Sequence, residues 1–98
     1  MVSFLFDEKT ENQAKSTVMI VDDQSASLSI LSQTVKNISD RICVKSYQSA
    51  PAALAAIEAS TPDLIITDYK MPVMDGIEFT KQIRALSYGE VIAIIIIT

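Results

Sequence analysis

The sequence predicts an α/β fold in which helices cover both faces of a parallel sheet. Short apolar runs of strand length alternate with segments of helical periodicity, in the order β-α-β-α-β-α-β. The strand segments are almost continuously apolar, which is typical of strands that are covered on both faces. The connections are short, so successive elements are expected to be neighbours in space. A length of 98 residues predicts one small domain.

The first strand and the first helix follow a polar segment. Residues 18–21 form a continuous apolar run that stops at Asp22 and Asp23, which predicts a strand. A helix is expected over about residues 25–39, because apolar side chains recur there at helical spacing. These side chains are Leu28, Leu31, Val35 and Ile38. Residues 1–16 are interpreted as a leader or linker. Its apolar residues, expected to rest on a surface, are Phe4, Leu5 and Phe6.

The second strand and helix are shorter. Residues 42–47 predict a strand, and the charge of Lys45 suits an edge of the sheet. Ser49 is a favourable N-cap, and Pro51 fits the first turn of a helix that extends through Ala59. Together these residues predict the second β-α unit.

An aspartate ends the third strand, and another precedes the third helix. Residues 64–67 form an apolar strand that ends on Asp68. Asp75 is expected to cap the third helix, which opens at Gly76. The face that this helix buries contains Phe79, Ile83 and Leu86.

The fourth strand is predicted over residues 91–97, after a turn at Gly89, and it ends on Thr98. Residues 94–97 of this strand are all isoleucine, and four isoleucines fully buried would contribute about 6–12 kcal/mol at ~1.5–3 kcal/mol each. The burial of this strand is therefore expected to matter for stability.

Composition excludes several classes of function. Eight basic and twelve acidic residues give a net charge of −4, which disfavours nucleic-acid binding. The sequence contains no histidine, which excludes Ser-His-Asp and Cys-His nucleophiles, His-ligated zinc and an internal histidine phosphocarrier. Cys43 has no second cysteine with which to form an internal disulfide, which favours a reducing compartment. No apolar run approaches the ~18 residues of a transmembrane helix, and residues 2–6 are too short for a secretion signal. We therefore expect a cytoplasmic protein that does not bind membranes.

Polar side chains follow three of the predicted strands. Asp22 and Asp23 follow the first strand, Asp68 ends the third and Thr98 ends the fourth. Ligands of open α/β sheets bind at the carboxyl ends of the strands, so these side chains are expected to meet. Three neighbouring carboxylates repel one another and therefore either take up a proton or hold a cation. Oxygen ligands at an open, wet site suit Mg²⁺, and a carboxylate can attack phosphorus to give an aspartyl-phosphate.

Each of these residues also has a purely structural interpretation. A single Asp after a strand is commonly a turn former or a helix N-cap, and the Thr98 hydroxyl could simply be solvated. Met71 and Met74 suit packing better than metal ligation. Acidic residues at successive strand ends nevertheless favour a functional site over a set of unrelated caps.

Three motifs resemble the receiver domain of two-component response regulators. They are Val21-Asp22-Asp23, the nine-residue block from Asp68 to Gly76, and Ile97-Thr98. The resemblance covers residues 17–98 and implies a flavodoxin-like, doubly wound sheet with strand order 2-1-3-4. The family continues with a further helix, a strand carrying a lysine and a last helix. Because the sequence ends at Thr98, we expect a receiver domain truncated after its fourth strand.

The resemblance also implies a role for each matching residue. Asp68 would be the phosphoacceptor, and Asp23 and Asp68 would bind Mg²⁺ together with the backbone carbonyl of Lys70. Asp22 would act through a metal-bound water, and Thr98 would be the switch hydroxyl. The residues that would shape the loop are Met71, Pro72 and Gly76.

Two functional hypotheses follow, together with an expectation about assembly. The first is a phosphorelay domain that receives its phosphoryl group from a sensor histidine kinase or phosphotransfer protein and is not itself an enzyme. The second is a receiver-like interaction module that no longer switches. A phosphoester hydrolase is disfavoured, because no histidine or second acid is predicted near the site. In either case the fourth strand would be an exposed apolar edge, so we expect a homo-oligomer formed through it.

Overall fold

A computed structural model describes residues 15–98 and confirms the predicted order of strands and helices. The strands are β1 (Ser16–Val21), β2 (Ile42–Tyr47), β3 (Leu64–Asp68) and β4 (Ala93–Ile97), and the helices are α1 (Ser25–Lys36), α2 (Ala50–Ala59) and α3 (Gly76–Arg84). All three strand pairs are parallel, in the order β2-β1-β3-β4. This is the order expected for the flavodoxin-like fold.

The amino-terminal boundary lies slightly earlier than predicted. Ser16 already belongs to β1, where it pairs with Ile42 and donates its N–H to the Arg41 carbonyl at 2.8 Å. The predicted division at residues 1–16 and 17–98 therefore cuts into the first strand. The expected surface contact of Phe4, Leu5 and Phe6 lies outside the described residues.

Helix α1 covers one face of the sheet. Val18 and Ile20 of β1 are almost completely buried against Leu28 and Val35 of α1. Side chains alternate between the two faces along a strand, so these β1 residues share one face. The predicted apolar stripe of α1 is thus the surface that packs on the sheet, although the helix ends at Lys36 and not at Ser39.

Helices α2 and α3 cover the other face. Met19 and Val21 of β1 pack in one buried cluster with Ile57 of α2 and with Phe79 and Ile83 of α3. The predicted caps of both helices are confirmed. Ser49 Oγ accepts the Ala52 N–H at 3.2 Å, and an Asp75 carboxylate oxygen accepts the Glu78 N–H at 2.8 Å. Covered faces of this kind explain why β1 is apolar at every central position.

The fourth strand begins later than the sequence predicted. Residues Gly89–Val91 form a short 3₁₀ turn, and β4 starts only at Ala93. The Arg84 guanidinium donates to the carbonyls of Gly89 and Ile92, which holds this turn against the end of α3. A Cβ at Gly89 would lie 1.7 Å from the Ile83 carbonyl oxygen, so the close approach requires glycine. Because of these contacts, residue 91 belongs to the turn and not to the strand.

Strand β4 lies at one edge of the sheet formed by residues 15–98. Ile94 packs against the core on the α2 and α3 side, whereas Ile95 and Ile97 are 50% and 43% exposed on the other side. Among residues 15–98, no strand pairs with the outer side of β4. Within the same residues, no helix has the length and apolar character needed to cross a membrane.

Candidate metal-binding site

The three predicted carboxylates converge at the carboxyl ends of β1 and β3. One carboxylate oxygen from each of Asp22, Asp23 and Asp68 lies within 4.8 Å of the other two. The convergence follows from the sheet, because β1 and β3 are adjacent, parallel and in register, with Val21 opposite Thr67. Residues that follow these two positions must emerge at the same edge. This cluster is called the acidic site below.

Backbone groups orient two of these carboxylates. Asp22 is only 9% exposed, and its Oδ1 accepts the Gln24 N–H at 3.0 Å. Asp68 Oδ1 accepts the N–H of Tyr69 at 2.9 Å. Hydrogen bonds of this kind fix the rotamers of both side chains without neutralising their charge. The acidic site is therefore held in position by the chain itself.

Asp23 supplies the observation that best fits a bound cation. Its Oδ1 is buried and has no hydrogen-bond partner among the described residues. A buried carboxylate oxygen without a donor is unfavourable, because the water that solvated it has been lost. A divalent cation bound by Asp23 would offset the repulsion within the acidic site and reduce the cost of burying this carboxylate. The donor set, which consists of oxygens only, fits Mg²⁺.

The loop after β3 is shaped by close backbone contacts. A Cβ at Gly76 would lie 2.7 Å from the Asp68 carbonyl oxygen, and the Gly76 N–H donates to the Tyr69 carbonyl at 2.8 Å. The same Asp68 carbonyl accepts the hydroxyl hydrogen of buried Thr67 at 3.0 Å. The backbone of Asp68 is thus fixed by the residues before it and by the start of α3.

Met71 and Pro72 occupy different environments in this loop. Met71 is 9% exposed and belongs to the core cluster under α2 and α3, which supports the packing interpretation. The Pro72 carbonyl accepts the Met74 N–H at 2.7 Å across Val73, whose φ is 72°. A hydrogen bond between residues two apart around a positive φ defines a tight and strained turn. The loop therefore has an anchored side and an exposed tip.

Lys70 and Thr98 follow the carboxyl ends of β3 and β4. Lys70 is exposed and, with Tyr69, Met71, Pro72 and Asp75, lines a cavity of about 410 Å³. Thr98 is exposed and directly follows β4, in which Ile97 lies opposite Asp68. Thr98 is thus one residue beyond the level of the acidic site. The metal role of the Lys70 carbonyl and the switch role of Thr98 stay predictions.

Sequence reasoning missed an apolar wall beside the acidic site. A second cavity, of about 430 Å³, brings Ile30, Leu31 and Ile97 together with Asp22 and Asp68. The other lining residues are Gln24 and Ser27. Ile30 lies outside the apolar stripe that predicted α1. An apolar residue on the polar side of a predicted helix is the sequence signal that could have indicated this wall.

Comparison with known proteins identifies the family. The family model for the response regulator receiver domain matches residues 18–98. The cyclic di-GMP phosphodiesterase response regulator RpfG of Xanthomonas campestris is 37% identical over 81 residues, which are 83% of this chain and 21% of RpfG. The response regulator protein TmoT of Ectopseudomonas mendocina is 37% identical over 87 residues, or 89% of this chain and 38% of TmoT. This chain thus spans about a fifth of the length of the first curated relatives that it matches.

Solved structures agree with the family model. The chemotaxis protein CheY4 of Vibrio cholerae has a TM-score of 0.78 and 31% identity, with 85% of this chain and 68% of CheY4 covered. The receiver domain of Ssk1 from Saccharomyces cerevisiae, crystallised with the histidine phosphotransfer protein Ypd1, has a TM-score of 0.73 and 25% identity, with 85% and 63% covered. The family match, the strand order and the acidic site agree, and the chain belongs to the response regulator receiver domains of two-component signalling.

Proposed function

We propose that this receiver domain accepts a phosphoryl group on Asp68, with Mg²⁺ held by the acidic site. The observation that carries the proposal is the convergence of three carboxylates, one of which, Asp23, also has a buried Oδ1 without a hydrogen-bond partner among the described residues. Asp23 and Asp68 would bind the ion through carboxylates, the Lys70 carbonyl would be a further ligand, and Asp22 would act through a water. When bound, Mg²⁺ supplies positive charge that offsets the charge of the incoming phosphoryl group.

Asp68 is suited to act as the nucleophile. Its Oδ1 is engaged by the Tyr69 N–H, which leaves the other carboxylate oxygen for attack on phosphorus. In the reaction, a new O–P bond forms at Asp68 and the N–P bond of a phosphohistidine breaks, and the electron pair returns to the imidazole nitrogen. The fixed backbone of Asp68 holds this oxygen in place while the bonds exchange.

The proposed phosphoryl donor is a phosphohistidine that lies outside these 98 residues. The sequence contains no histidine, so a sensor histidine kinase or a phosphotransfer protein is the proposed partner. The complex of the Ssk1 receiver domain with Ypd1 supports a partner of this class. The Thr98 hydroxyl would then donate to a phosphoryl oxygen and bias the surface around β4. Partners of this class also support the expected cytoplasmic location.

Labelling with acetyl phosphate tests the central assignment. We expect the full chain to gain one phosphoryl group in Mg²⁺, as measured by intact mass, and to lose this gain in EDTA. Asp68→Asn should abolish labelling, whereas Asp40→Asn, a change at an exposed aspartate outside the acidic site, should leave it intact. Labelling that persists in Asp68→Asn would remove Asp68 from its proposed role.

A second candidate function is an interaction module that retains the fold but does not switch. The exposed isoleucines of β4 favour it, because they offer a surface for another chain, including a second copy. A Mg²⁺ titration separates the two candidates. The phosphorelay domain should show a saturable response in the millimolar range, and a pure scaffold should show none.

A further inference from the structure

The peptide unit between Asp68 and Tyr69 is held at both of its ends. Its carbonyl, which belongs to Asp68, accepts the Thr67 hydroxyl hydrogen at 3.0 Å. Its N–H, which belongs to Tyr69, lies 2.9 Å from Asp68 Oδ1 and 3.0 Å from the Ile97 carbonyl oxygen. A peptide unit is planar and rigid, so a rotation that moves its carbonyl also turns its N–H. The Thr67 hydroxyl is therefore linked through one rigid plane to the N–H that orients the Asp68 carboxylate.

Thr67 is a polar residue at a position that packing alone would fill with an apolar one. Its side chain is completely buried. It lies on the same face of β3 as Ile65, which belongs to the core cluster under α2 and α3. A hydroxyl in such surroundings is unfavourable unless it is hydrogen-bonded, whereas valine has nearly the same shape and no polar atom. Because the hydroxyl donates to the Asp68 carbonyl, it serves the peptide unit and not the packing of the core.

The start of α3 confines the same carbonyl from another direction. A Cβ at Gly76 would lie 2.7 Å from the Asp68 carbonyl oxygen, so this oxygen occupies the space that a side chain would need. The Gly76 N–H donates to the Tyr69 carbonyl at 2.8 Å, which fixes the next peptide unit as well. Without the Thr67 hydroxyl, the Asp68 carbonyl would turn toward another donor or toward water, because an acceptor without a donor is unfavourable.

We propose that Thr67 is a positioning residue for phosphorylation at Asp68. Its hydroxyl sets the orientation of the peptide unit, and the Tyr69 N–H then holds Asp68 Oδ1 so that the other carboxylate oxygen faces the incoming phosphorus. This inference rests on the proposed role of Asp68 as the phosphoacceptor. Thr67 acts only through the backbone, so it needs no contact with the phosphoryl group. Rates depend steeply on such placement, since a displacement of ~1 Å can slow a reaction on the order of 10²-fold.

The rate of labelling by acetyl phosphate tests this role. Thr67→Val keeps the shape of the side chain and removes the hydroxyl, so we expect labelling of the full chain in saturating Mg²⁺ to slow about tenfold. Thr67→Ser keeps the hydroxyl and should restore the wild-type rate. Thr34→Val is the matched control, because it removes an exposed hydroxyl on α1 that donates to the Ile30 carbonyl at 2.8 Å. It should be labelled at the wild-type rate.

A second variant perturbs the same carbonyl from the other direction. Gly76→Ala would place its Cβ against the Asp68 carbonyl oxygen and should also slow labelling. Urea unfolding identifies conditions in which each variant is folded, so that lost stability alone does not lower the rate. A wild-type rate in Thr67→Val, or equal slowing in Thr67→Val and Thr67→Ser, would overturn the proposal. If Thr67→Val does not fold, a wild-type rate in Gly76→Ala overturns it.

The amide proton resonance of Tyr69 gives a readout that does not depend on phosphorylation. We expect this resonance to shift in Thr67→Val, because the N–H turns with the peptide unit, and to return to its wild-type position in Thr67→Ser. It should not move in Thr34→Val. An unchanged Tyr69 resonance in Thr67→Val would show that the hydroxyl does not orient the peptide unit, and the proposal would then be wrong.

The labelling results separate this proposal from the function on which it rests. Labelling that persists in Asp68→Asn would refute the phosphoacceptor assignment itself. Labelling that is lost in Asp68→Asn but keeps its wild-type rate in Thr67→Val would refute the positioning role alone.

Discussion

Repulsion within the acidic site predicts that Asp23→Asn stabilises the metal-free protein. The ligating oxygens of Asp22, Asp23 and Asp68 lie within 4.8 Å of one another. At that separation two unit charges repel by about 0.9 kcal/mol in a water-like medium and by about 3.5 kcal/mol at an effective dielectric constant of 20. The substitution keeps the shape of the side chain and removes two of the three repulsive pairs. It also makes the buried, unpartnered Oδ1 a neutral atom, which is less unfavourable to bury.

The stabilisation expected for Asp23→Asn is closer to the lower of these two repulsion energies, summed over two pairs. The acidic site is at an open sheet edge, where solvent screens the charges, so we expect the free energy of unfolding in EDTA to rise by about 1–2 kcal/mol. In Mg²⁺ this difference in stability should shrink. A ligand at ten times its Kd stabilises the folded state by about 1.4 kcal/mol, and the wild-type chain should gain this amount while the variant gains little.

Urea unfolding at one fixed protein concentration, in EDTA and in Mg²⁺, measures both effects. Asp40→Asn is the control, because it removes one negative charge from an exposed position outside the acidic site. It should change neither the stability in EDTA nor the response to Mg²⁺. If Asp23→Asn were less stable than wild type in EDTA and gained as much from Mg²⁺, the account of the acidic site would be refuted.

Two further predictions concern the loop after β3. Gly76→Ala should lower the free energy of unfolding by about 1–3 kcal/mol, because the new Cβ would lie 2.7 Å from the Asp68 carbonyl oxygen; urea unfolding that showed the usual stabilisation by alanine in a helix would contradict this. Val73→Gly should raise the unfolding free energy by about 0.5–1 kcal/mol in the same assay, since a positive φ is unfavourable for a β-branched residue and Val73 is 95% exposed. A loss of stability there would mean that the valine side chain has a contact of its own.

The sequence alone was sufficient to predict the order of strands and helices and the convergence of the three carboxylates in the acidic site. Both follow from local rules, since continuous apolar runs predict covered parallel strands and neighbouring parallel strands bring their carboxyl ends together. The position of Asp22, Asp23 and Asp68 at one sheet edge is therefore predictable from the sequence. The capping roles of Ser49 and Asp75 were predictable for the same reason, because capping depends on residues three positions apart.

The features that the sequence could not predict depend on contacts between residues that are distant in the sequence. Strand β4 begins at Ala93 because Arg84 holds the preceding turn, and no local pattern around residue 91 reports that contact. The exposure of Ile30 depends on which elements cover α1, and the turn at Val73 depends on the anchoring of Met71 in the core. Periodicity specifies which face of an element is apolar, but tertiary packing decides how much of that face is buried.

A single backbone amide connects the acidic site with the β4 edge. The N–H of Tyr69 lies 2.9 Å from Asp68 Oδ1 and 3.0 Å from the Ile97 carbonyl oxygen, so the carboxylate and the strand share one donor. A phosphoryl group on Asp68 would change the charge that this N–H meets, and with it the strength of the hydrogen bond to the Ile97 carbonyl. The end of β4 is thus joined by one shared donor to the site that would be phosphorylated.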